Sequence, residues 1–124
     1  MKQVLSIEQM KHLKNLGLDT SDGSMCFEWN ESDSDNMVVT SPDADTNYDY
    51  YCKTYTLQDI LDKLPCFIDR YILTFQKYPN NYMFLYIENY TKSIIKITES
   101  KELIDAAYDM LCWYIETPYI KKEK

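Results

Sequence analysis

Residues 100–116, "SKELIDAAYDMLCWYIE", contain the clearest helical pattern in the chain. Apolar side chains recur at helical spacing and predict one wide buried stripe, made of Leu103, Ala106, Ala107, Met110, Leu111 and Tyr114. Ser100 is placed to cap the N-terminus of this helix, and Asp105 and Asp109 fall on its polar side. A helix with such a wide apolar face must bury it against another layer of the fold.

The layer that this helix covers is predicted to be an antiparallel β-meander. Its strands lie in "DRYILTFQK" (69–77), "YMFLYIEN" (82–89) and "SIIKIT" (93–98), joined by short turns that favour antiparallel pairing. Regular alternation places Ile95 and Ile97 on the same face of the last strand. Apolar residues on both faces of the middle strand predict that its second face is also partly covered.

Two further helices are predicted from their N-terminal signals. They lie in "SIEQMKHLKNLG" (6–17) and "TLQDILDKLP" (56–65). Each has a hydroxyl residue as N-cap and a capping-box partner three residues later, namely Ser6 with Gln9 and Thr56 with Asp59. Both helices carry an apolar stripe, so both are expected to pack on the same core.

Three short strands are predicted between these two helices, in "MCFEW" (25–29), "MVVT" (37–40) and "YDYYCKTY" (48–55). The order of elements is therefore α-β-β-β-α-β-β-β-α. We expect an α+β fold in which helices pack an antiparallel β-meander, with residues 1–124 forming a single domain.

The net charge of −7 comes from one segment of the chain. Residues 15–52 contain nine acidic residues and no Lys or Arg. Direct binding to nucleic acid or to anionic membranes requires clustered basic residues, so neither is expected. Within the acidic segment, residues 30–47 are predicted to form a flexible acidic loop region.

The stretch "SPDADTNYDYY" (41–51) carries three aspartates and an asparagine at alternate positions, namely Asp43, Asp45, Asn47 and Asp49. It has three interpretations: a calcium loop, a mimic of nucleic-acid phosphates, or a solvated loop. An EF-hand loop that begins at Asp43 would require Gly at the position of Tyr48 and Glu at the position of Thr54. The calcium pattern thus fails at its two most diagnostic positions, and no metal ligand is assigned.

Tyrosines follow the acidic residues closely, and exposed tyrosines are common in protein-recognition surfaces. If the chain has such a surface, we expect it where these two residue types meet. The candidate interaction residues are Asp33, Asp35, Asp43, Asp45, Asp49, Tyr48, Tyr50 and Tyr51. The alternative is a small-ligand or metal-binding domain that uses segment 28–55, and the third hypothesis is an acidic mimic of nucleic acid.

Catalytic and cofactor signatures are missing from the sequence. The single histidine, His12, lies beside lysines and is expected at the surface, and the four cysteines lack the spacing of a zinc site. We therefore predict no enzyme activity and no cofactor. The N-terminus lacks the apolar core of a signal peptide, and no apolar stretch approaches the roughly 20 residues of a spanning helix, so a cytoplasmic protein is expected.

Three stretches carry a resemblance to known proteins: "LSIEQMKHLKNLGLDTSDGSMCF" (5–27), "TLQDILDKLP" (56–65) and "LIDAAYDMLCWYIE" (103–116). Together they resemble a family of small uncharacterised proteins from phages, prophages and other mobile elements of gut anaerobic bacteria. The resemblance covers under half of the chain and brings no functional residue with it. It implies an intracellular accessory protein that acts on host factors.

The first functional hypothesis is therefore a noncatalytic accessory protein of a phage or mobile element that binds another protein. An exposed meander edge or a tyrosine-rich face would also permit a symmetric dimer of the chain itself.

Overall fold

The computed structural model describes residues 2–29, 37–40 and 51–117. Within these ranges the chain forms three helices and two antiparallel sheets, which confirms the predicted α+β fold. The helices are α1 (Ile7–Asn15), α2 (Leu57–Lys63) and α3 (Leu103–Glu116). None of the helices described in these ranges is both long and apolar enough to cross a membrane.

The strands form one sheet of three and one of four. The first sheet has the order β2-β1-β3 and contains β1 (Met25–Trp29), β2 (Met37–Thr40) and β3 (Tyr51–Thr54). The second has the order β4-β5-β6-β7 and contains β4 (Phe67–Ile68), β5 (Tyr71–Lys77), β6 (Tyr82–Ile87) and β7 (Ile94–Ser100). The two-residue strand β4 extends the predicted meander by one short edge strand.

Both predicted capping boxes are present. The backbone N–H of Gln9 donates to Ser6 Oγ at 3.1 Å, and the Ser6 N–H donates to Gln9 Oε1 at 2.9 Å. Thr56 and Asp59 make the equivalent pair at 3.2 and 2.9 Å. These contacts satisfy N–H groups that a helix terminus leaves without an intrahelical partner, which explains why α1 and α2 begin where the sequence predicts.

The start predicted for α3 is wrong. Ser100 is the last residue of β7, where it pairs with Tyr82, and the N-cap is Glu102. Ser100 Oγ still accepts a hydrogen bond from the Glu102 N–H at 3.2 Å, but it does not cap the helix. The pairing of β7 with β6 continues through Ser100, so α3 begins later in the chain than predicted, at Leu103.

The core lies between α3 and one face of the four-stranded sheet, here called the inner face. Thr98 Oγ1 donates to the Ala106 carbonyl at 2.7 Å, and the ring centroids of Tyr86 and Trp113 lie 6.1 Å apart. Alternation along β6 places Phe84 on the same face as Tyr86. The largest fully buried apolar side chains from the rest of the chain complete this core and include Leu5, Leu13, Tyr55, Ile60, Ile104, Met110 and Leu111.

A bulge in β7 changes which of its side chains lie on the same face of the sheet. Lys96 pairs with Tyr86 and Ile94 with Ile87, so the register skips Ile95. Ile95 packs against the core, whereas Ile97 lies opposite Leu85 on the other face. The expectation that Ile95 and Ile97 share a face is wrong, because an inserted residue reverses the alternation of side chains along the strand.

Candidate protein-binding surface

Most of the predicted interaction residues lie outside the described part of the chain: Asp33, Asp35, Asp43, Asp45, Asp49, Tyr48 and Tyr50. Tyr51 begins β3, where its backbone pairs with Glu28 of β1. The predicted loop region 30–47 is described only at residues 37–40, which form β2. The acidic, tyrosine-rich surface therefore stays a prediction.

The described structure draws attention to a different surface. The outer face is the side of the four-stranded sheet opposite α3, and the register assigns to it the apolar residues Phe67, Ile72, Met83, Leu85, Ile87, Ile94 and Ile97. Phe67 is 62% exposed, Ile94 42% and Ile97 44%. Single exposed apolar residues are ordinary, but neighbouring ones on one rigid sheet are typical of an interaction site.

Leu85 lies at the middle of the outer face. It lies on the central strand β6, between Thr74 of β5 and Ile97 of β7, and it is buried. This burial confirms that the second face of the middle strand is partly covered. The exposed apolar residues therefore surround a packed centre, and the paired strands hold them in fixed relative positions.

A groove of about 280 Å³ adjoins one end of the outer face, where Phe67 and Ile72 contribute to its lining. Tyr90 is 96% exposed and stands at its edge, while Arg70, the only arginine in the chain, lines its side. The Arg70 Nη1 atom lies 3.9 Å from Glu88 Oε1, and the Arg70 side chain is 75% exposed, so its guanidinium is largely accessible. Aromatic residues and arginine are enriched in protein interfaces. The groove therefore adds residue types that favour protein binding to the end of the outer face.

The turn that carries Tyr90 is held by hydrogen bonds around Glu88. The Glu88 N–H donates to the Ser93 carbonyl at 2.9 Å, and the Lys92 N–H donates to the Glu88 carbonyl at 2.9 Å. Thr91 Oγ1 also donates to Glu88 Oε2 at 3.0 Å. The exposed tyrosine is thus presented by an ordered turn, which lowers the entropy lost when it binds a partner.

Sequence reasoning missed β4 and therefore the exposed Phe67. A signal was present in "CFIDRYIL" (66–73), where two apolar runs flank Asp69 and Arg70. Asp69 has φ of 54°, a left-handed conformation that aspartate adopts more readily than most residues. An Asp-containing pair between apolar runs is a hairpin signal of moderate strength, and it identifies the turn between β4 and β5.

A polar cluster joins the segment before β1 to the region around α2. Tyr55 Oη donates to Asp22 Oδ1 at 2.7 Å, and Lys63 Nζ donates to Asp22 Oδ2. Burial disfavours the charged form of Asp22, but the hydrogen bonds from Lys63 and Tyr55 outweigh it and hold its pKa below the usual range. Burial, reinforced by the bond to Asp22, raises the pKa of Tyr55, so its hydroxyl remains a donor at neutral pH.

The shifted pKa of Asp22 predicts a pH-dependent contribution to stability. Folding lowers the pKa of Asp22 below its ordinary value of 3.8. Ionised Asp22 therefore stabilises the folded chain at pH values above 3.8. The contribution is lost as pH falls through the lower, folded-state pKa. Unfolding free energies of the wild type and Asp22→Asn, measured in urea, should therefore differ near pH 7, and the difference should shrink steadily as pH falls below 3.8. A constant difference across this range would contradict the assigned role of Asp22.

The remaining metal-ligating and nucleophilic side chains of the described ranges do not form a reactive centre. In the described ranges, no group of three or more His, Cys, Asp or Glu side chains is arranged to hold a metal ion. His12 is exposed, as predicted. Burial raises the pKa of the Cys112 thiol to about 11, so this thiol is protonated at neutral pH and is a poor nucleophile.

Comparison of the chain with family models, with curated proteins and with solved structures found no match. The outer face is the most distinctive feature of the described surface of the chain.

Proposed function

We propose that this chain is a noncatalytic accessory protein that binds another protein through the outer face of its four-stranded sheet. The observation that carries the proposal is the exposure of Phe67, Ile94 and Ile97 on one ordered face. Covering these side chains would remove apolar area from water and would contribute about 25 cal/mol for each Å² buried. The groove beside Phe67 adds Arg70 and Tyr90 as anchoring residues.

The layered architecture favours a partner protein that places an apolar surface on the outer face. Helix α3 covers the inner face, and sheets with two apolar faces are commonly covered on both. A partner that presents an apolar helix or sheet face would complete the second layer. A second copy of the chain is a poorer occupant, because two molecules that each carry a net charge of −7 repel one another.

The resemblance to small proteins of phages and other mobile elements supports a further part of the proposal. In that context, the partner is a protein of the bacterial host cell. The groove chemistry then serves recognition of a host factor, and the acidic segment 15–52 serves as a second, electrostatic contact for a basic region of the same partner.

The proposal is tested by placing charge on the outer face. The double variant Ile94→Glu/Ile97→Glu should lose at least about tenfold in partner affinity, since complex formation would bury unpaired carboxylates. The partner would be captured from host lysate, purified, and titrated calorimetrically against each variant. Because both isoleucines are already partly exposed, the variant should remain folded, which circular dichroism and a thermal melt would establish.

A matched control carries the same change in charge elsewhere. The variant Gln3→Glu/Asn80→Glu alters two exposed positions outside the outer face and should bind the partner with wild-type affinity. Equal affinity of both double variants would overturn the proposal. So would light scattering that shows a wild-type dimer which Ile94→Glu/Ile97→Glu dissociates, since the occupant would then be a second copy.

A third variant separates the two candidate surfaces. Replacing Asp33, Asp35, Asp43, Asp45 and Asp49 with asparagine removes charge from the predicted acidic surface without altering the outer face. If this change alone abolishes binding and the outer-face variant does not, the acidic segment is the binding surface and the outer face is not.

A further inference from the structure

The four-stranded sheet ends in β7, and the side of this strand that faces away from β6 is called here the open edge. In the described part of the chain, no strand pairs with this edge. An unpaired edge presents backbone N–H and C=O groups to which a further strand can bond. The opposite edge strand, β4, has two residues, whereas β7 has seven, so β7 offers the longer template.

Hydrogen bonds within the sheet show which residues of β6 bond to β7. Successive residues of an antiparallel strand direct their N–H and C=O groups to alternate sides. The Leu73 N–H donates to the Cys66 carbonyl at 3.0 Å, so Leu73 is directed toward β4 and away from β6. Its pair Tyr86 is therefore directed away from β5 and bonds to β7. The Glu88 N–H, two positions later, also donates to this side, where it bonds the Ser93 carbonyl at 2.9 Å.

The same alternation identifies the residues of β7 that face the open edge. In the regular part of the ladder, β6 bonds every second residue of β7, namely Lys96, Thr98 and Ser100. Ile97 and Glu99 alternate with these residues, so they direct their N–H and C=O groups at the open edge. Each of them offers one donor and one acceptor to an added strand.

Two features of β7 are of the kind that protects sheet edges from unspecific pairing, namely a bulge and a lysine. The bulge at Ile95 comes before the regular ladder, which runs from Lys96 to Ser100. The Lys96 side chain lies on the inner face with that of its pair Tyr86, so it does not cover the edge. These features limit an added strand to a short segment but leave residues 97–99 accessible to it.

The side chains of Ile97 and Glu99 lie on the outer face. Ile97 is 44% exposed. Glu99 is exposed and accepts a hydrogen bond from Asn81 Nδ2 at 3.0 Å, and no basic side chain of the described ranges forms an ion pair with it. Cross-strand pairs of apolar residues, or of opposite charges, stabilise a sheet. The edge therefore favours a strand with an apolar residue opposite Ile97 and a basic residue opposite Glu99.

We propose that the open edge binds an extended segment of the partner protein as an added antiparallel strand. Residues that pair in such a ladder share a face, so the segment extends the outer face beside Ile97 and Glu99. Its sequence pattern is basic, any residue, apolar, any residue, apolar, and the second apolar side chain lies near Ile94. The sequence of β7 itself, "IIKITES", lacks this pattern, which disfavours pairing with β7 of a second copy. The inference rests on the proposed protein-binding function and specifies how the partner is held.

A synthetic peptide with this pattern tests the inference on the whole protein. The probe is acetyl-Thr-Lys-Thr-Ile-Thr-Ile-Thr-amide, in which Lys lies opposite Glu99 and the first Ile opposite Ile97. We expect a dissociation constant below about 1 mM in a chemical-shift titration. N-methylation of Lys and the first Ile removes the donors directed at β7, and it should weaken binding at least about tenfold.

The matched control for these peptides carries its N-methyl groups on the second and third Thr residues. The N–H groups of these residues face away from β7, so the control should bind within about threefold of the unmethylated probe. No binding by the unmethylated probe, or equal losses from the two pairs of N-methyl groups, would overturn the proposal.

Amide hydrogen exchange provides a second measurement on the wild-type chain. In the free protein, the amides of Ile97 and Glu99 should exchange faster than those of Thr98 and Ser100, which bond to β6. A saturating concentration of the peptide should slow exchange at Ile97 and Glu99 at least about fivefold. Unchanged exchange at both residues with the peptide bound would overturn strand addition, since the peptide would then bind elsewhere.

Two variants at one position separate the backbone donor from the side chain. Glu99→Pro removes an N–H that faces outward, where an edge strand tolerates proline, and should weaken peptide binding at least about tenfold. Glu99→Ala removes the same carboxylate but keeps the N–H, and should cost about threefold or less. Equal affinity of the two folded variants would contradict the proposal. If Glu99→Pro does not fold, the methylated peptides and the exchange measurement decide.

The partner captured from host lysate separates this inference from the proposed function. A partner that loses affinity for Ile94→Glu/Ile97→Glu but binds Glu99→Pro like the wild type would overturn strand addition and leave the protein-binding function intact. A partner that loses affinity for both variants would support both. A wild-type dimer that Glu99→Pro dissociates, seen by light scattering, would overturn the proposal, because a second copy would then occupy the edge.

Discussion

Replacement of Tyr86 by alanine should lower the free energy of unfolding by about 3–5 kcal/mol, the usual cost of truncating a large buried aromatic residue. Tyr86 is 0% exposed and lies on the central strand β6. Its ring packs 6.1 Å from Trp113 of α3, so its loss leaves a cavity between the sheet and the helix that covers it.

The hydroxyl group of Tyr86 makes a separable contribution. It donates to the Pro65 carbonyl at 2.7 Å, which joins β6 to the connection between α2 and β4. Burial raises the pKa of Tyr86, so this donor stays protonated at neutral pH. Tyr86→Phe keeps the ring and should cost only about 1 kcal/mol, the net value of a typical hydrogen bond.

Urea denaturation of both variants at neutral pH measures these differences. Tyr78→Ala is the matched control, because Tyr78 is a substantially exposed tyrosine in the turn directly after β5 and its truncation should cost far less. A loss below about 1 kcal/mol for Tyr86→Ala would contradict the central packing role assigned to this residue.

The parts of the fold that depend on short-range signals could be predicted from the sequence. Ser6 with Gln9 and Thr56 with Asp59 set the starts of α1 and α2, because a capping box is formed by residues three apart. The start of α3 could not be predicted in this way. Ser100 satisfies the local rule for an N-cap, but pairing with Tyr82, eighteen positions earlier in the chain, retains it in β7.

The candidate site was predictable only in part, for a related reason. Alternation along β6 correctly assigns Met83, Leu85 and Ile87 to one face. Which of the two faces α3 would cover is a tertiary choice that the alternation does not contain. Ile97 lies on the exposed side because it pairs with Leu85, and the bulge at Ile95 brings Ile94 to that side as well. No local pattern in "SIIKIT" signals that bulge.

Gly23→Ala should be the second strongly destabilising change, with a cost of about 1–3 kcal/mol from overpacking. A Cβ atom at position 23 would lie 2.7 Å from the Thr54 carbonyl oxygen and 3.0 Å from the Thr54 nitrogen. These are backbone atoms, so they cannot move aside as the end of a flexible side chain could. The methyl group would therefore push the segment before β1 away from β3.

The backbone of Thr54 is held on several sides, which limits relaxation around the new methyl group. Thr54 pairs with Met25, its Oγ1 donates to the Leu5 carbonyl at 2.7 Å, and the neighbouring Tyr55 carbonyl accepts from the Leu5 N–H at 3.0 Å. Any shift that relieves the clash must disturb one of these contacts. Amide chemical shifts of Leu5, Met25 and Thr54 should therefore change together in the variant.

Gly17→Ala provides a matched control with a different physical cause. Its Cβ would meet no atom within 4 Å, but Gly17 has φ of 102°, so alanine there should cost about 1–2 kcal/mol through backbone strain. Thermal melts and urea titrations compare the two, and the chemical-shift changes of Gly17→Ala should stay near the end of α1. Wild-type stability in Gly23→Ala, or shift changes confined to its immediate chain neighbours, would show that the segment before β1 relaxes freely and that close packing against Thr54 does not fix its position.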